Sequence, residues 1–101
     1  GTSAERYAKI CEMSAYCWQS LNNIPAVTCL KNTPPESGLI SFTVNSALSH
    51  KKIVATLEKR GFCLRTLTYP NCIRACTHYF TSHAEIDELA IAIQTILDEA
   101  I

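Results

Sequence analysis

Gly61-Phe62-Cys63-Leu64-Arg65-Thr66-Leu67, then Cys72-Ile73-Arg74-Ala75-Cys76-Thr77-His78-Tyr79-Phe80, is the stretch on which the fold turns. Its apolar and β-branched runs, Phe62 to Leu67 and Cys72 to Tyr79, predict two strands joined by a turn around Tyr69-Pro70-Asn71. Each run carries one arginine, Arg65 and Arg74, and no Asp or Glu occurs between Cys63 and Ser82 to pair with either. A guanidinium is permanently charged and presents a planar fork of donors suited to a carboxylate or phosphate. Burying one unpaired is costly, so two readings are open: the arginines lie on a solvated strand face, or they await an anionic ligand.

Outward from this pair, the chain reads as alternating helices and strands. Residues Ser3 to Asn22 place Tyr7, Ile10, Cys11, Ser14, Cys17, Trp18 and Leu21 near a period of 3.6, which predicts a long amphipathic helix ending before Pro25. Ala26 to Leu30 predicts a short strand, Lys31 to Ser37 a loop and Leu39 to Val44 a second strand. Ser49 is placed to cap a helix from His50 to about Arg60, with Ile53, Val54 and Leu57 on one face and Gly61 as its stop. Ser82-His83-Ala84-Glu85 reads as a capping box opening a last helix that buries Ile86, Leu89, Ala90, Ile93 and Leu97. The order α-β-β-α-β-β-α gives the α+β class, a small four-stranded sheet with helices packed on it. Within the fourth strand, a period of two puts Cys72, Arg74, Cys76 and His78 on one face. That face is polar or reactive. A histidine such as His78 is more often a hydrogen-bonded structural residue than a catalyst.

At 101 residues the chain is one domain with a modest core. Nine basic and nine acidic side chains cancel, which argues against a nucleic-acid partner. No apolar run is long enough to span a bilayer, and no secretory leader is expected. The six cysteines fall where small hydrophobes would pack, not in loop-rich segments, so reduced thiols and a cytoplasmic location are expected. Cys72-x3-Cys76 with His78 lacks a matching second pair, and no metal site is expected.

Ser49-His50-Lys51-Lys52-Ile53-Val54 through Glu58-Lys59-Arg60-Gly61-Phe62, Leu64-Arg65-Thr66-Leu67 and Asn71-Cys72-Ile73-Arg74-Ala75-Cys76-Thr77-His78-Tyr79 carry a resemblance that pattern alone does not reach. With Gly38-Leu39-Ile40-Ser41-Phe42 and Glu85-Ile86-Asp87-Glu88-Leu89, the chain closely resembles the C-terminal small domain of class V aminotransferase-fold enzymes. These are fold type I enzymes that use pyridoxal phosphate (PLP), and the resemblance is strongest to the cysteine/cystine C-S lyases, relatives of the cysteine desulfurases. It implies a domain spanning residues 1–101 whose large, cofactor-binding partner domain is absent from this sequence. It assigns the clamp on the substrate α-carboxylate to Arg74 and a supporting role, toward the substrate's second half, to Arg65. His78 and Cys76 become candidates for residues behind the site.

The same resemblance implies that the parent enzyme, a homodimer as fold type I enzymes usually are, takes PLP and an amino-acid substrate of the cysteine or cystine class. It implies β-elimination to pyruvate, ammonia and sulfide or persulfide, with neither catalysis nor cofactor binding by this domain alone. Ser49-His50-Lys51 is superficially similar to the Schiff-base motif of the family, but it sits where a helix cap is expected. Desulfurases carry a nucleophilic cysteine on a loop shortly after the arginine matching Arg65, commonly as Arg-x-Gly-x-x-Cys. Arg65-Thr66-Leu67-Thr68-Tyr69-Pro70 has neither that glycine nor that cysteine, which favours elimination over sulfur transfer to the protein. An aminotransferase, an epimerase or a desulfurase as parent, or a free-standing interaction module, are the alternatives.

Overall fold

Local chemistry fixes most of the helix ends in the computed structural model, which describes residues 2–100. Helix α1, Ser3–Asn22, opens on a capping box: the Thr2 hydroxyl accepts from the Glu5 amide and the Glu5 carboxylate accepts from the Thr2 amide. Helix α2, His50–Lys59, is capped by Ser49, whose hydroxyl accepts from the Lys52 amide at 3.1 Å. It stops at Gly61, whose φ of +94° is a conformation that side chains disfavour. Helix α3, His83–Glu99, begins at Ser82, which accepts from the Glu85 amide at 3.4 Å. Only half of the expected box forms there, because the Glu85 carboxylate turns to the amide and hydroxyl of Thr81 and not to Ser82.

The strands are β1 (Val27–Cys29), β2 (Leu39–Val44), β3 (Arg65–Thr68) and β4 (Asn71–Cys76). They form one antiparallel sheet in the order β1-β2-β4-β3. Alternation sends Ile40, Phe42 and Val44 of β2, with Ile73 and Ala75 of β4, to one face. There they join Cys17 and Leu21 of α1, Ile53 and Leu57 of α2, and Ile86, Leu89 and Ile93 of α3 in a single core. Fully burying one such aliphatic or aromatic side chain contributes about 1.5–3 kcal/mol, so this one-sided layer holds the sheet and the helices together. This is the expected α-β-β-α-β-β-α arrangement.

The differences from the sequence reading lie at element ends. β3 begins at Arg65 and not Phe62, because the Phe62 amide donates to the Leu57 carbonyl and closes the exit from α2. β4 ends at Cys76 and not Tyr79. Its neighbour β2 starts at Leu39, the partner of Cys76, and beyond that pair the Thr77 amide and hydroxyl both donate to the Gly38 carbonyl. With no ladder left to extend, Thr77–Tyr79 tightens into a 3-10 turn closed by the Phe80 amide on the Thr77 carbonyl at 3.0 Å.

The stripe of α1 also shifts. Met13, Ser14, Cys17 and Leu21 are buried, whereas Tyr7 is 53% exposed and gives its hydroxyl proton to Glu36 at 2.8 Å. Residues 2–9 of this end of the helix are all exposed. Further along, His83 stacks on Tyr16 with ring centroids 4.0 Å apart, and Tyr16 donates to Asp87 at 2.6 Å, which joins α1 to the start of α3.

Candidate functional site

The face of the sheet turned away from the core remains open, and the arginines occupy it. Thr68 pairs with Asn71 across the two-residue turn Tyr69-Pro70, and from that closing pair the register runs back to set Arg65 directly opposite Arg74. On the other side of β4, Arg74 is the partner of Ser41 in β2. Ser41, Arg74 and Arg65 therefore form one row across three strands, with all three side chains on the outward face. The Arg74 Nε–H donates to Ser41 Oγ at 3.2 Å. Among the described residues neither arginine has a carboxylate within ion-pair distance; the ion pairs present are Arg60–Glu99 and His83–Glu12.

Two like charges directly opposite one another in a sheet destabilise it, and among the described residues no carboxylate offsets them. With Nε engaged by Ser41, Arg74 keeps its two terminal amino groups for a ligand. The row can thus grip a carboxylate or another flat oxyanion with charge-assisted bonds. Cys76 shares this outward side of β4 with Arg74, is half-buried and is paired with Leu39. Cys72 shares it too but is fully buried opposite Leu67.

His78 does not extend that row, as the expected alternation had it. It falls in the 3-10 turn beyond β4 with its ring against Gly38, where an added Cβ would lie 2.8 Å from Cδ2 and Nε2. It lines a separate groove with Arg6 and Lys9 of α1, so the sheet face and His78 are parts of different surfaces. Ser41 is the residue the sequence reading missed. The signal was present in the even spacing of Leu39, Ser41 and Thr43 on the polar side of β2, but only the strand pairing selects Ser41 from the three.

Cys17 and Cys29 lie in the core, away from this row. All six cysteines are free. Burial, with a smaller effect from nearby Cys29, pushes the Cys17 thiol up to about 12, and burial pushes Cys29 up to about 11, so both are inert packing groups at neutral pH. Among the described residues no three His, Cys, Asp or Glu side chains are grouped as metal ligands, and no helix is long and apolar enough to cross a membrane.

No protein-family model matches the sequence, and no curated protein does. Chains of solved structures do, among them the following two. One is the complex between the cystine C-S lyase C-DES and its reaction product cysteine persulfide; the other is a lysine-to-alanine mutant of C-DES with glycine covalently linked to the PLP cofactor. Each is 47% identical to this sequence with a TM-score of 0.88, over 92% of this chain and 24% of the other. The chain therefore spans only 24% of the length of the structures it matches.

The residues of this chain do not themselves fit PLP. Lys9, Lys31, Lys51, Lys52 and Lys59 are all exposed. The groove beside Lys51 contains no carboxylate to face a pyridine nitrogen. Ser49 is spent on the helix cap, and His50 accepts the Val44 amide at Nε2 while Nδ1 meets Asn71 at 3.3 Å. Ser49-His50-Lys51 is a structural corner.

Proposed function

We propose that this chain, 47% identical over 92% of its length to the cystine C-S lyase C-DES, is the substrate-binding small domain of a fold type I, PLP-dependent lyase acting on cysteine or cystine. The reaction is β-elimination, releasing pyruvate, ammonia and a sulfide or persulfide. Cofactor chemistry, in which PLP supplies the electron sink for elimination, belongs to a separate large domain of the same protein and to its homodimer.

The observation that carries this reading is the unpaired Arg65–Arg74 juxtaposition on the open sheet face. Arg74, held at Nε by Ser41, takes the substrate α-carboxylate with its terminal amino groups. Arg65, directly opposite, adds the second positive charge and holds the far half of the substrate. A carboxylate gripped in this way has a fixed orientation, which is what a stereoelectronically demanding elimination requires of a binding domain. Cys76, on the same side of β4, is assigned a supporting position beside the clamp, whereas His78, on a separate surface, takes no part in it.

Elimination is favoured over sulfur transfer to the protein by the tight hairpin. Thr68 and Asn71 close around Tyr69-Pro70, so no mobile loop with a nucleophilic cysteine follows Arg65, and Cys72 is buried.

The test combines this chain with the separately expressed, lysine-bearing large domain and PLP, and follows pyruvate release from cystine. Pyruvate formation that disappears in Arg74→Ala is the expected result. Association of the halves with amino-group exchange to a keto acid and no pyruvate would sink the lyase reading in favour of an aminotransferase.

A further inference from the structure

Ser41 is not among the residues a carboxylate clamp needs in principle, yet the strand pairing gives it a specific place beside Arg74. We propose that Ser41 is a positioning residue that fixes the direction from which Arg74 receives a carboxylate. The inference rests on the substrate-binding reading of Arg74 and goes one residue and one geometric statement further.

An unrestrained guanidinium can grip a carboxylate in two ways, side-on through Nε and one terminal amino group, or end-on through both terminal amino groups. Ser41 Oγ lies 3.2 Å from Arg74 Nε and accepts its proton, so the side-on edge is occupied. The end-on edge is left. Three features of the sheet keep this selection in place. Ser41 and Arg74 are directly paired across β2 and β4, so their backbones hold the two side chains in register. Arg65 flanks Arg74 on the opposite strand and, as a like charge, disfavours any swing of the guanidinium toward β3. Both Ser41 and Arg74 are half-buried, which limits competition from water for their hydrogen bond.

The serine has a second capacity. Having accepted from Arg74, its hydroxyl still has a proton to donate. A carboxylate bound end-on lies beyond the guanidinium, whereas one bound side-on would have to displace this hydroxyl. Removing the hydroxyl leaves the Arg74 guanidinium unanchored, so the end-on clamp has to be ordered each time a carboxylate binds. The consequence for a substrate is weaker binding, with the chemistry of correctly bound molecules unchanged.

The experiment has two arms. In the full-length, PLP-loaded protein with cystine as substrate, Ser41→Ala raises KM by about tenfold with kcat within about twofold, the loss of one charge-assisted hydrogen bond. Ser41→Thr, which keeps the hydroxyl on a residue suited to a strand, restores KM. In a double-mutant cycle, Arg74→Lys costs less in the Ser41→Ala background than in the wild type, because lysine has no Nε edge for the serine to occupy. In this chain alone, NMR hydrogen exchange at the Arg74 Nε–H is slow in wild type and Ser41→Thr and fast in Ser41→Ala. Unchanged KM and additive effects in Ser41→Ala, or equally fast Nε–H exchange in all three proteins, overturn the positioning role. If Arg74→Ala itself leaves KM unchanged, the carboxylate clamp fails instead, and the exchange measurement still reports on the Ser41–Arg74 bond.

Discussion

Arg65 and Arg74 are direct cross-strand partners in β3 and β4, two positive charges side by side on the open face of the sheet. Natural sheets place opposite charges or apolar pairs at such positions, since like charges facing one another cost stability. Replacing Arg65 with Thr, which has high strand propensity, is therefore expected to stabilise this chain by about 0.5 kcal/mol. On the proposed lyase reading, the same change is expected to weaken cystine binding by the full-length protein. Urea denaturation of the chain and KM of the full-length protein are the paired readouts. A destabilised Arg65→Thr chain means that the arginine is held by a favourable contact, and the case for a vacant anion site falls.

Gly38 and Gly61 both have positive φ, +81° and +94°, but their surroundings differ. A Cβ at Gly61 would meet nothing within 4 Å, whereas at Gly38 it would press on the His78 ring at 2.8 Å and on Thr77 Oγ1 at 3.1 Å. Gly61→Ala is expected to cost only the backbone strain, about 1–2 kcal/mol. Gly38→Ala is expected to cost roughly twice that and to shift the His78 ring resonances. Thermal melts of the two variants decide the comparison, and equal losses contradict the packed His78–Gly38 contact.

His50 joins three elements. Its Nε2 accepts the Val44 amide at 3.1 Å at the end of β2, and its Nδ1 lies 3.3 Å from Asn71 Oδ1 at the β3–β4 hairpin. With Nε2 an acceptor, the ring proton resides on Nδ1 and Asn71 receives it. His50→Ala leaves the Val44 amide without its partner, at an expected cost of about 2 kcal/mol. Faster amide exchange at Val44 and Asn71 should accompany the loss. Wild-type exchange at both positions is incompatible with this role.

Cys17 and Cys29 give the chain an alkaline limit. Burial holds Cys17 up to about 12 and Cys29 up to about 11, against an ordinary value of 9.0 for each thiol. Between those values the unfolded chain has lost thiol protons that the folded chain retains, so stability falls with rising pH. The contribution is complete below pH 9 and is lost as the pH rises through about 11 and 12. The urea midpoint is expected to fall over that range, and Cys17→Ala to flatten the fall while lowering the midpoint at neutral pH. An identical slope in Cys17→Ala assigns the alkaline loss to other groups.

What was legible in the sequence is what depends on near neighbours. The run Ser3–Asn22 is read correctly to both ends because α1 is bounded by the Thr2 cap and the Asn22-Asn23 exit, both local signals. β2 is read to the residue, since the β-branched and aromatic content of Leu39-Ile40-Ser41-Phe42-Thr43-Val44 is a property of the strand itself. The lack of any acid near Arg65 and Arg74 is also plain from composition, and it marked them as residues to watch.

Tertiary structure decided the rest, because register and strand length are set by a partner elsewhere in the chain. β4 stops at Cys76 because β2 begins at its partner Leu39, and this ends the alternation that had placed His78 beside Arg74. Arg65 faces Arg74 because the turn closes on Thr68 and Asn71; a shift of one residue would have sent one of the two to the core face. Ser41 reaches Arg74 across 33 positions of sequence solely through the β2–β4 ladder. The sequence by itself determined which segments form and which side chains lack a partner for their charge. Pairing of backbone hydrogen bonds between distant strands determined that Ser41, Arg74 and Arg65 share one row on the open face of the sheet.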